Sequence, residues 1–166
     1  MEPSLYCLGM LSTMLLSTLY HGTEELKAKT YFRMLDMLSI HVTIAVTSCA
    51  YMMLYNSYYL CAFTASIASL GMFYTIKNYG ESAFESRNVH VYLLVGILCS
   101  VCTVVVLLQH ESTGMGHFLY GLLFFLGGLI FYVRDSIKWF HTIWHIFVMI
   151  ASYLHLKGIT IILETI

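Results

Sequence analysis

Charge is what this sequence has least of. Only 10% of its 166 residues are Asp, Glu, Lys or Arg, whereas a soluble domain carries roughly a quarter. A mean hydropathy of +0.78 is too high for a surface that faces water, so the solvent is expected to be lipid. The net charge of −1 leaves no basic surface of the kind that nucleic acid demands. Proline occurs once, as Pro3, so the later helices are free of proline kinks. No Lys or Arg precedes Lys27, so the basic segment of a cleavable signal peptide is missing, and the first apolar stretch is expected to remain as a span. Cysteine is present but unpaired by number: Cys7, Cys49, Cys61, Cys99 and Cys102 all lie in apolar runs, which excludes a disulfide framework. Cys99 and Cys102 form a C-x-x-C mid-run with no βαβ context, and packing as small hydrophobes is the expected role.

What is abundant is apolar sequence, at 59%. Six runs stand out, at about Leu5–Tyr20, Met34–Tyr55, Tyr58–Ile76, Val89–Leu108, Phe118–Val133 and Trp139–Leu163. A bilayer span takes roughly 17–25 residues; the first and fifth runs fall just short and must draw on flanking polar residues. The pattern predicts an all-α, multi-pass transmembrane bundle of six spans, a single domain over 1–166, with the charged stretch Gly22–Thr30 as its closest approach to a linker. Six spans put the loops holding Lys27, Lys29, Arg33, Lys77, Arg87, Arg134 and Lys138 on one side and leave Lys157 on the other. The basic side is expected to be cytoplasmic. Gly121, Gly127 and Gly128 in the fifth run predict close helix packing, because small residues let helices approach in lipid.

Polar residues inside apolar runs are costly and point to function. Ser17 and His21 are spaced i, i+4 at the end of the first span, and Asp36 lies inside the start of the second. His141 and His145, again i, i+4, open the last span. All five fall near the basic side. One helical face can present two imidazoles to one metal, and three neutral imidazoles plus a water make an open tetrahedral zinc site. Zinc lowers the pKa of its water to about 7; Asp36 would hold that water or take its proton, and Ser17 would orient a ligand or donate to an oxyanion. Blander roles fit some of these residues taken singly: Ser17 as a back-bonded helix serine, Asp36 as a cap or a partner of Arg33. His41 and His155 lie too deep to join and suit interhelical hydrogen bonds. His90 sits near the basic side without a clear link to the site, and His110 and His117 are expected to face solvent.

Leu16–His21, Lys29–Asp36, the glycine-rich Tyr120–Tyr132 and Phe140–Val148 resemble, in that order, four motifs of the hemolysin III and progestin/adiponectin receptor family. These motifs also mark a wider superfamily with alkaline ceramidases and myomaker-like proteins; the stretch Asp36–Thr47, with Ser39–Thr43 in it, leans toward the last, and Met37 stands where hemolysin-type members usually carry histidine. The resemblance implies a zinc site of His21, His141 and His145, with Ser17 and Asp36 beside it. It also implies a seven-span fold, of which this chain is expected to lack the first span. The function implied is a zinc-dependent hydrolase of a lipid amide or ester, ceramide-like, at the cytoplasmic leaflet. A receptor with structural zinc and a membrane-remodelling protein are the alternatives.

Overall fold

A computed structural model describes residues 2–79, 89–134 and 136–166. Among these the regular structure is helical throughout: α1 (Glu2–Gly22), α2 (Leu26–Leu54), α3 (Tyr58–Lys77), α4 (Val89–Gln109), α5 (Met115–Val133) and α6 (Phe140–Thr165). The all-α, multi-pass expectation holds. Arg87, counted above with the basic loops, lies outside the described residues.

Five helices, α2 to α6, are long and apolar enough to cross a membrane. α1 has the length, with 21 residues, but Ser4, Ser12, Thr13, Ser17 and Thr18 dilute its apolar face. Those hydroxyls are not wasted polarity. Ser12, Thr13 and Thr18 each donate to the carbonyl four residues back, at 2.8, 3.0 and 2.8 Å. That bond satisfies a hydroxyl where no water can. Ser66, Ser69, Thr103 and Ser152 do the same in the later helices.

The largest departure from the sequence reading is at the start of α2. The charged stretch expected as a linker is mostly helix, because Leu26–Ala28 and the lysines around them are good helix formers. α2 therefore runs 29 residues, roughly 43 Å, against a hydrocarbon core of roughly 30 Å. Its first two turns extend past the apolar run and carry Lys27, Lys29 and Arg33.

The chain packs as two compact units, Met1–Val106 and Leu107–Ile166. In the first, α2 contacts both α1 and α3. Its face with α1 is tight: a Cβ at Gly9 would come within 3.0 Å of Val46, and the Thr13 and Thr43 hydroxyls bond at 2.7 Å. Toward α3, the fully buried His41 sits over Gly71 and bonds the Thr75 hydroxyl through Nε2 at 3.0 Å, which is the interhelical role expected of it. α4 adds Val95 and Cys99 to a small core with Ala68. All five cysteines are free, with Cys99 fully buried.

In the second unit, α5 and α6 pack closely along a row of glycines seven residues apart. A Cβ at Gly114 would strike Ile162 at 2.5 Å, at Gly121 the His155 imidazole at 2.7 Å, and at Gly128 Phe147 and Trp144 at 2.8 and 2.9 Å. The partners on α6 descend as those on α5 rise, as antiparallel helices in heptad register require. His155 lies in the Gly121 notch between the rings of Phe118 and Phe125, at 5.3 and 5.8 Å. The packing expected of Gly121, Gly127 and Gly128 is what these contacts show.

Gly121→Ala should therefore lower the stability of the detergent-solubilised protein by about 1–3 kcal/mol, since the new methyl has nowhere to go. Gly116→Ala, on the same helix with nothing within 4 Å of its added Cβ, should be neutral or stabilising by about 0.5–1 kcal/mol. Thermal unfolding followed by circular dichroism would check the pair, and equal midpoints would dismiss the notch.

Candidate functional site

Each unit keeps part of the expected site, and each part is built by helix periodicity. In the first unit, Ser17 and His21 occupy one face of the last two turns of α1. Ser17 is buried at 7% exposure, and its hydroxyl interacts with the Asp36 carboxyl on α2. Unlike Ser12, Thr13 and Thr18, it does not back-bond; among the described residues no acceptor or donor reaches Ser17 Oγ at full hydrogen-bond distance. The blander reading of Ser17 as a back-bonded helix serine is thereby corrected. The Asp36 backbone carbonyl accepts from Ser39 Oγ at 2.6 Å, which fixes the turn that carries the carboxyl. His21 is exposed at the helix end, its ring 4.6 Å from that of Tyr20.

Lys29, Arg33 and Asp36 fall at i, i+4 and i+7, one strip of α2. Lys29 and Arg33 are half-buried, while Lys27, on the opposite face, is exposed. The Lys29 ammonium lies 5.7 Å from the centre of the Tyr20 ring. Just past α3, the Tyr79 hydroxyl donates to the Thr30 carbonyl at 2.5 Å and ties the end of α3 to the protruding turns of α2. Burial pushes the Tyr79 phenol above its ordinary range, with the nearby Arg33 charge pulling it down, so it stays a donor. Sequence reasoning missed Tyr79; a lone tyrosine beside a loop carries no signal of its own.

In the second unit, His141 and His145 are half-buried on the first turns of α6. Their Nε2 atoms are 3.0 Å apart and their rings 4.7 Å apart at 78°. The Tyr132 ring, itself buried, backs them at 6.5 Å from His141 and 5.1 Å from Trp144. Trp139 begins the helix in the left-handed region, at φ 73°, with Lys138 over its ring at 5.2 Å. Two Nε2 atoms bound to one zinc at about 2.0–2.1 Å in tetrahedral geometry lie roughly 3.3 Å apart. The observed pair needs only a small spread to meet that spacing, so these donors fit zinc.

His90 and His110 are exposed. His117 lies within the first turn of α5 and is half-buried, so it faces solvent less than expected.

Compared with known proteins, residues 3–156 match the family described as Haemolysin-III related. The chain belongs to the haemolysin-III related family. It is also similar to the Hemolysin-3 homolog of Bacillus subtilis (strain 168), at 27% identity over 153 residues, covering 90% of this chain and 71% of that protein. No solved structure matches it. For this haemolysin-III related chain, the family resemblance read from Leu16–His21, Lys29–Asp36, Tyr120–Tyr132 and Phe140–Val148 is thus confirmed, and the match spans all four segments. The lean of Ser39–Thr43 toward myomaker-like proteins gains no support from these matches.

The strained start of α6 is open to measurement. Trp139→Gly and Trp139→Ala both remove the ring, but only glycine adopts φ 73° freely. The glycine variant should be the more stable by about 1–2 kcal/mol. Equal unfolding midpoints in detergent would show that the turn relaxes at no cost.

Proposed function

We propose that this multi-pass membrane protein is a zinc-dependent hydrolase of a lipid amide or ester, with His21, His141 and His145 holding the metal and its basic loops in the cytoplasm. The observation that carries the reading is the His141–His145 pair, whose Nε2 atoms converge at 3.0 Å from one helical face. Further support comes from Ser17 and Asp36, gathered at the end of α1 that carries His21.

When bound, zinc supplies Lewis acidity and lowers the pKa of water to about 7. The residues do the rest. Hydrolysis joins the oxygen of water to the acyl carbon and breaks its bond to nitrogen or oxygen, giving a carboxylic acid and an amine or alcohol. Asp36 takes a proton from the attacking water and returns it to the leaving group, the usual work of a positioned carboxylate. Ser17 carries a buried hydroxyl free of the backbone, suited to donate to the oxygen that gains charge as the carbonyl is attacked. A lipid carbonyl lies just below the headgroups, close to where these helix ends stand in a bilayer.

Purified wild-type protein should contain about one zinc per chain, and His141→Ala and His145→Ala should each lose it. Asp36→Asn should keep the metal and lose about 10²–10⁴-fold in turnover of a ceramide, phospholipid and glycolipid panel. Metal analysis beside product detection separates the two claims. A metal-loaded wild type inert across that panel would end the hydrolase reading.

A further inference from the structure

We infer that Lys29 and Arg33 form a recognition site for the negatively charged phosphate of a lipid headgroup, so that the preferred ligand of this face is an anionic phospholipid. This names a substrate class for the site proposed above and rests on that reading for its catalytic meaning, though not for its binding.

Three observations bear on it. First, α2 continues two turns beyond its apolar run, so these cations are held on a rigid helix at headgroup depth instead of on a loop. Second, Lys29, Arg33 and Asp36 share one strip, with Lys29 over the Tyr20 ring next to His21. A ligand descending to Asp36 along this strip passes both cations. Third, the Tyr79–Thr30 bond pins the turn between them, and Tyr79 lies close enough to Arg33 to feel its charge. Glu24 and Glu25 precede the strip at the exposed start of the helix. A guanidinium and an ammonium side by side suit phosphate, the one by its planar fork and the other as a point charge. Either a lipid headgroup or free phosphate offers that chemistry.

The test uses the full-length protein in neutral detergent, with phosphatidylglycerol and phosphatidylcholine of equal chain length as probes and native mass spectrometry as the readout. Wild type should bind phosphatidylglycerol about 10-fold tighter, as two juxtamembrane cations allow. Arg33→Gln should remove most of that preference and Arg33→Lys should retain much of it. Lys27→Gln, on the opposite face, should leave it unchanged. Should Arg33→Gln fail to fold, salt on the wild type serves instead: at about 1 M, where the Debye length is about 3 Å, the preference should collapse. Failure of inorganic phosphate to compete upholds a lipid headgroup as the ligand. Effective competition upholds the phosphate site but overturns the lipid assignment. Equal binding of both lipids by wild type overturns the proposal, as does a Lys27→Gln effect as large as that of Arg33→Gln. Zinc measured on the same samples keeps the two readings apart. A metal-free protein with intact lipid preference loses the hydrolase and keeps the headgroup site; a metal-loaded protein without preference does the reverse.

Discussion

In hydrocarbon a hydroxyl, imidazole or carboxyl has no water to fall back on, and each must find a partner within the protein or carry a cost of several kcal/mol. That constraint sorts the polar residues of this chain. Most serines and threonines of the helices turn back to the carbonyl four residues earlier and become, in effect, apolar. His41 is satisfied by Thr75 across the α2–α3 contact. A remainder is left after this sorting. Among the described residues it includes Ser17, which does not back-bond, the Asp36 carboxyl it faces, and two imidazoles that converge on each other at the start of α6.

The same solvent governs packing. No hydrophobic effect drives one apolar helix on to another in lipid, so contact must come from close fit. Gly114, Gly121 and Gly128 form three notches at heptad spacing, and α6 fills them with Ile162, His155 and the Trp144–Phe147 pair. The last notch also serves the site: Trp144, seated on Gly128, lies one turn along from His141 and beside Tyr132, which backs the two imidazoles. Packing in the second unit and the aim of its histidine pair are thus one arrangement.

Much of this was legible from residue order alone. Apolar run length located every helix end to within a few residues except the start of α2, and the i, i+4 spacings of Ser17 with His21 and of His141 with His145 marked the helix faces under discussion. The failures share a cause. Gly22–Thr30 was read as the closest approach to a linker because charge signals exposure, yet an exposed segment of good helix formers, here from Leu26 onward, continues a helix as readily as it ends one. The Gly121 seat of His155 was missed because a notch is a property of two helices, and spacing along one of them does not name its occupant. Tyr79 was missed for the same reason: its hydroxyl matters only through a carbonyl 49 residues away. The apolar shortfall of α1 was visible in its five hydroxyl residues, but their back-bonding was not.

Asp36 shows most clearly how position selects a role. The other described carboxylates, Glu24, Glu25, Glu111 and Glu164, lie in loops or at helix ends where water reaches them. Asp36 alone among them sits more than two turns inside a helix fit to span the membrane. A charge there costs roughly 2.5–3.5 kcal/mol near mid-bilayer and less toward the surface, and asparagine would offer similar hydrogen bonds without that penalty. A purely structural polar contact with Ser17 would therefore favour the amide. Keeping a carboxyl at this depth is reasonable only if its proton is wanted, and in the proposed reaction a proton must leave water and reach a departing nitrogen or oxygen. The Lys29–Arg33 strip, on the same face of α2, would meet an anionic headgroup when the site is filled. The same end of α2 thus carries the proposed acid–base group and, within two turns of it, the cations proposed to recognise the lipid.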